Sequence, residues 1–424
     1  MTIAPTSPAP TVVSAPMSRA AAIREAAVAK ATEIAIALDD PATAWDAAPP
    51  GGGRVWPQSL AGGAAGVALL HIARARTGHG DWGTAHRWLA AAGRDPLTAA
   101  DNAGLFIGVP ALAFVTHAAA EATGRYHATL ARLDKATITI TRRRVTAARV
   151  RIGRGERPEL KEFDLIRGLT GLGAYHLRRH PDHAVTAEVL AYLVRLTRPL
   201  PPDPNLPPWW TDAAPSGEPD PRFPHGHANV GVAHGIGSVL ALLSLALLQG
   251  HPAPGLAEAV ETVCDWTDRW RHDIGGLWWP GVVTPHPSPS PRPRPSWCYG
   301  IAGTGRAQQL AGLALGDATR RRRAEEGMIA AISDHTYLDM LGADIGLCHG
   351  TAGLLQAAWR MAHASANPLA AHLPLVTARL LTQLQGRIKD PELLDGVAGA
   401  ALALHTTGTG TCPHPAWDRF LLLS

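Results

Sequence analysis

The apolar residues of this chain come in runs that each follow a glycine turn. VALLHIA follows Gly63-Ala-Ala-Gly66, LAFVTHAAA follows Gly108-Val-Pro-Ala111, and LGAYHL follows Gly168-Leu-Thr-Gly171. The same arrangement recurs at Gly235-Ile-Gly-Ser238, Gly300-Ile-Ala-Gly303, Gly350-Thr-Ala-Gly353 and Gly396-Val-Ala-Gly399. Two copies are imperfect, with Ala111 and Ser238 at the final glycine. Spacing runs from 45 residues (Gly63 to Gly108) to 67 (Gly168 to Gly235). Self-similarity of this kind marks a repeat architecture. Between the turns lie amphipathic stretches at 184–198, 256–270 and 373–387, whose apolar residues recur at steps of three and four with charges between. That is the pattern of helices covered on one face. Each unit reads as an outer amphipathic helix, a loop, a glycine turn and an apolar inner helix. Seven units predict an all-α fold: a two-layered α/α barrel, or toroid, of about seven inner and seven outer helices, with every Gly-x-x-Gly turn at one end. The stretch 136–152 (ATITITRRRVTAARVRI) is the one place where alternation of β-branched residues suggests a strand.

Two proline-rich segments, 199–224 and 284–295, interrupt the pattern just upstream of the fourth and fifth turns. Proline cannot continue a helix, so both are expected as long loops at the turn end, where they can wall a cleft; for the second, a plain surface insertion is an equal alternative. The first 17 residues, rich in Pro, Ala, Thr and Ser, read as a disordered tail and not a signal peptide. Residues 18–424 read as one barrel domain, with a basic stretch at about 124–160 as a candidate insertion.

With 46% hydrophobic residues in 424, a large core is available. A net charge of +4 with 17% charged residues is too mild to point to nucleic acid. No stretch approaches the length of a membrane span. Four cysteines in so long a chain are not a disulfide framework. A soluble cytoplasmic protein is expected.

Aligning the glycine turns converts sequence into geometry. Two residues before the first glycine stand Cys298 and Cys348 in the fifth and sixth repeats, against Ile166, Ala233 and Leu394 in the third, fourth and seventh. One residue before it stand His234, Tyr299 and His349 in repeats four to six. Equivalent positions of a closed barrel converge on its axis. Two cysteines and a histidine at one point, Cys298, Cys348 and His349, form a zinc site with three protein ligands and a fourth position left for substrate. His234, one repeat away, suits a general acid/base. Asp164, four residues before the third turn, either caps the inner helix or orients His234. Arg294 can offset a developing oxyanion. Cys264 and Cys412 lie outside the register and read as ordinary thiols. His225 and His227 read as solvated or as part of the cleft rim.

At SWCYGIAG (296–303), LCHGTAGLL (347–355), NVGVAHGI (229–236) and FDLIRGLTGLG (163–173) the chain resembles the lanthipeptide synthetase cyclases, the LanC-like family, and in particular its stand-alone class I members. The resemblance extends from about residue 55 to the end. It implies a double α/α barrel carrying one zinc ion, and an enzyme that forms carbon–sulfur bonds by adding cysteine thiols of a precursor peptide to dehydroalanine or dehydrobutyrine. Carried over position by position, it implies Cys298, Cys348 and His349 as zinc ligands, His234 as acid/base, and Asp164, Arg294 and Tyr299 as the remaining active-site residues. Ser238 and the proline-rich loop before the zinc motif depart from the family pattern without touching a ligand.

Three other readings stay open on sequence alone. The same site can add glutathione or another thiol to dehydrated residues in proteins. A zinc hydrolase would need a carboxylate base that the zinc motifs do not supply. A non-catalytic scaffold would need a fourth zinc ligand. The partners implied are a dehydrated precursor peptide with its leader and a separate dehydratase, with an exporter complex as a further candidate through which the protein would sit peripherally at a membrane. The basic segment 135–157 is either a docking face for an acidic leader or partner, or a solvated surface.

Overall fold

The computed structural model describes residues 18–44, 56–201, 205–285, 291–364, 366–386, 390–412 and 416–424; the N-terminal 1–17 segment lies outside them. Fourteen helices build the barrel. The inner ones begin at the glycine turns: α2 (Ala64–Arg76), α4 (Val109–Thr123), α6 (Leu169–Arg179), α8 (Ile236–Leu248), α10 (Ile301–Leu315), α12 (Thr351–Ala364) and α14 (Val397–Thr409). The outer ones are α1 (Arg19–Ala37), α3 (Trp82–Ala92), α5 (His127–Gly153), α7 (Ala184–Leu196), α9 (Leu256–Asp268), α11 (Ala318–Ser333) and α13 (Leu373–Gln383). Each inner helix contacts the next, and α14 contacts α2, which closes the ring.

The inner helices are apolar nearly all round because they are covered on both sides. Of the outer helices, each packs most closely on the one that follows it in the chain; for α14, α1 fills that place. The packing unit is therefore inner helix then outer helix, shifted by one element from the unit expected above. This pairing separates the connections into two kinds. Links at the far end are short, as at 124–126 and 316–317, whereas those at the turn end are long, as at 197–235 and 269–300.

The glycines permit a close approach of chain segments. A Cβ at Gly300 would lie 2.0 Å from the carbonyl oxygen of Arg294, and one at Gly303 would lie 1.9 Å from that of Trp297. Gly108 sits at φ +81°, where a side chain is strained. Where Ser238 replaces the last glycine, its hydroxyl donates to the carbonyl of Gly235 at 2.8 Å.

Backbone hydrogen bonds stitch the turns to one another around the mouth. Leu165 N–H donates to Ala233, Val232 to Cys298, Cys298 to Cys348, Cys348 to Leu394, Leu394 to Ala61, and Leu60 to Phe106. The belt passes through both cysteines.

The segment 136–152 is helix, not strand: it lies within α5, packed on α4, α6 and α7. Neighbouring helices override the β-branched alternation. Most of the basic stretch forms α5, the outer helix that follows the second inner helix. Several of its arginines hold the adjacent loops. Arg144 donates to the carbonyls of Ala103 and Lys161, and Arg151 pairs with Glu162 at 2.7 Å. The only paired strands among the described residues are β1 (Ala228–Asn229) and β2 (Val282–Val283), antiparallel, in the loops before the fourth and fifth turns. No described helix is long and apolar enough to cross a membrane.

Candidate metal centre and active site

The belt places the three sulfur and nitrogen donors. Cys298 and Cys348 hold the same register in adjacent turns, and the Cys298 N–H donates to the Cys348 carbonyl at 3.2 Å. Both side chains are buried. With His349 they form a group whose ligand atoms all lie within 4.8 Å of one another. Nδ1 of His349 is 3.0 Å from Sγ of Cys298, and Oγ of Ser296 is 3.4 Å from the same sulfur. No fourth His, Cys, Asp or Glu among the described residues joins the cluster.

The charges of this group are informative. The Cys298 thiol is held down, at about 5, first by its hydrogen bond with Cys348 and then by His349, against the cost of burial. The same bond, together with burial, drives Cys348 upward. His349 is raised by its bond to Cys298. The pair alone thus carries one negative charge, and only a cation would keep both sulfurs ionised. Two thiolates and an imidazole are a donor set suited to zinc.

One turn round the mouth, Nδ1 of His234 lies 2.7 Å from Oδ2 of Asp164. The carboxylate is buried, while the imidazole is about a third exposed at 34%. The other oxygen of Asp164 accepts the backbone N–H of Arg167 at 2.7 Å. Asp164 thus contacts both the His234 imidazole and the backbone of the third turn. The pairing leaves Nε2 of His234 as the ring atom free of hydrogen bonds among the described residues, which suits proton transfer.

Tyr299 stands between the two groups. Its hydroxyl accepts from Asn229 at 3.2 Å, burial raises its pKa, and the charges of Cys298 and Asp164 both act on it. A Cβ at Gly231 would come within 2.6 Å of the Tyr299 ring and of the Cys298 carbonyl, so a bare backbone there lets the tyrosine pack beside the cysteine. Arg294 reaches Asp344 through a 3.6 Å ion pair on the cysteine side and is half-exposed.

The first proline-rich loop does wall a cavity: Thr211, Ala213 and Glu218 line a space of about 240 Å³ together with Asp164, Arg167 and His234. The second is held at 292–293, where Arg292 stacks on Tyr337 and the Tyr337 hydroxyl donates to the Pro293 carbonyl; its residues 286–290 lie outside the described ones. His225 is exposed, as expected. His227 is not: it is fully buried, with Nδ1 bonded to the Ala213 carbonyl at 2.8 Å, and it pins the loop. Cys264 is buried on α9 and Cys412 is bonded by Arg360, both away from the metal-binding group.

Sequence reasoning passed over Asn229 and Ser296, which lie inside quoted motifs but outside the aligned columns. It also passed over two residues that lie in a column. One residue before the first glycine, the third and seventh repeats carry Arg167 and Asp395. Reading that column through every repeat would have found them.

The profile of the lanthionine synthetase C-like protein family matches residues 54–422. Among solved structures, nisin cyclase superposes with a TM-score of 0.73 at 18% identity, over 87% of this chain and 93% of that one. At that identity the likeness speaks for the α/α toroid. No curated protein matches the sequence significantly.

Proposed function

The chain belongs to the lanthionine synthetase C-like family, and we propose that it is a zinc-dependent peptide cyclase that closes thioether (lanthionine and methyllanthionine) rings. The observation that carries this reading is the donor cluster of Cys298, Cys348 and His349, with no fourth protein ligand among the described residues, on the same mouth as the His234–Asp164 pair. The substrate is a precursor peptide already carrying dehydroalanine or dehydrobutyrine, supplied by a separate dehydratase.

Cys298, Cys348 and His349 would hold the ion. When bound, zinc supplies the positive charge that keeps a substrate thiol ionised near neutral pH, well below its usual value near 8.5. Tyr299 and the loop 205–224 confine the peptide between the cysteines and His234. The substrate sulfur forms a bond to the β-carbon, the Cα=Cβ double bond opens, and negative charge moves onto the enolate. His234 delivers a proton to the α-carbon from Nε2, while Asp164 holds Nδ1 and stabilises the charged imidazolium. Arg294 lends its charge at the cysteine side. The proton lost by the thiol balances the one gained at carbon, so mass does not change.

The test uses purified, zinc-loaded protein and a dehydrated Cys-containing precursor. Free thiols should disappear at constant mass with wild type and persist with Cys348→Ala, which should also lose its zinc. If wild type leaves the thiols as alkylatable as the variant does, the cyclase reading fails. Glutathione added in place of the peptide thiol tests the intermolecular alternative, whose product gains the mass of glutathione.

A further inference from the structure

The residue before the first glycine forms a crown around the mouth. From the third repeat to the seventh it reads Arg167, His234, Tyr299, His349, Asp395. The three central members belong to the site already described. Arg167 flanks them on the acid/base side, and Asp395, with Asp344 nearby, on the metal side, where both carboxylates act electrostatically on His349. The crown thus carries Arg167 beyond His234 and Asp395 beyond His349, while Asp344 on the metal side is paired with Arg294.

Arg167 is also placed firmly. Its backbone N–H is bonded to Asp164, the carboxylate that contacts His234. Its exposed side chain lines the 240 Å³ cavity with His234, and equally a larger one of about 870 Å³ lined by Phe106, Ile107 and Ile166 together with charged residues of both signs. Arg167 thus stands where the two spaces meet. The other basic groups on this wall are engaged: Lys161 with Glu159 at 2.5 Å, Arg151 with Glu162, and Arg144 with two carbonyls. Among the described residues, the Arg167 guanidinium has neither ion pair nor hydrogen bond. An uncommitted guanidinium presents a planar fork of donors that matches a carboxylate.

We propose that Arg167 is a specificity-determining residue that binds a carboxylate side chain of the substrate peptide close to the dehydroamino acid, while the adjoining chain enters the larger cavity. This rests on the cyclase reading for the identity of the substrate.

The experiment compares dehydrated peptides that carry Glu, Gln or Lys at positions flanking one dehydroalanine, with thiol consumption giving kcat and KM. Binding of the same peptides is followed by fluorescence anisotropy. Wild type should favour Glu over Gln by about three- to fivefold in kcat/KM, mainly through KM, as expected for an exposed ion pair. Arg167→Gln should bring that ratio close to one, Arg167→Lys should keep part of it, and Arg167→Glu should turn the preference toward Lys. A wild-type ratio of one, or a ratio unchanged in Arg167→Gln, overturns the proposal. So does an equal fall of kcat on every peptide in Arg167→Gln that Arg167→Lys fails to restore, since that is the mark of a structural or catalytic role. If wild type consumes no thiol at all, the cyclase reading has failed, and the anisotropy preferences still decide the role of Arg167.

Discussion

Histidines occur at two depths of this barrel, and the contrast shows how one scaffold assigns opposite duties to one residue type. At the mouth, His234 is a third exposed and held by a buried carboxylate. Eight or nine residues beyond the first glycine of their repeats, about 12 Å down the inner helices, stand His71, His117, His176 and His405, all buried. Their Nε2 atoms bond to the Leu38 carbonyl, Glu121, Thr141 and Thr77, respectively. Burial pulls their pKa down to about 4 for His71 and about 3 for the others. They are neutral struts. Depth along the inner helix decides which role a histidine takes: at the turn the long loops leave it partly open, and two helical turns below, the outer layer seals it.

The contrast can be broken most directly at the mouth. His234→Ala should lower the cyclisation rate about 10²- to 10⁴-fold while zinc content and melting temperature stay at wild-type values; equal loss of zinc would mean that His234 serves the metal instead. Asp164→Asn should cost about 10- to 100-fold through the misoriented imidazole, and an unchanged rate would leave the carboxylate with only a capping role. Deeper in the barrel, the readout is stability. Because the four buried histidines have folded pKa values below the unfolded value near 6.5, unfolding takes up protons once the pH falls beneath that value. Stability should be full above pH 6.5 and decline as the pH drops toward 4 and 3, by at most about 1.4 kcal/mol per pH unit for each histidine. Urea titrations at pH 7.5, 6.5 and 5.5 measure this, and a flat profile would show that the struts do not stay neutral in the fold. The smallest effect on turnover belongs to a single strut. His176→Ala should lose about 2 kcal/mol of stability with the rate within about twofold of wild type; a large rate loss without unfolding would erase the distinction between depths.

Much of this arrangement is legible in the chain because its information is periodic. The glycine turns announce the seven inner helices, and aligning them brings Cys298, Cys348, His349 and His234 to one mouth before any coordinates are seen. What stays hidden is what the period does not encode. Nothing in RAAAIREAAVAKATEIAIA says that α1 packs on α14. The alternation ATITIT in 136–141 satisfies a strand pattern until helices on three sides impose their own geometry. The burial of His227 depends on where the proline-rich loop folds back. Arg167 escapes because an arginine before a turn looks like any solvated charge until the cavity beside it is known.

The pairing of the chain's first helix with its last has a consequence for how the protein is made. On the ribosome, repeats emerge in order and settle on those already present. Here α1 must wait through synthesis of everything else for α14, the surface it covers. Cys348 likewise waits for Leu394, the carbonyl its N–H is anchored to. Cys298 and Cys348 are therefore translated well before the annulus that aligns them exists, so their register is fixed only in the closed ring, at the moment the hoop is buckled.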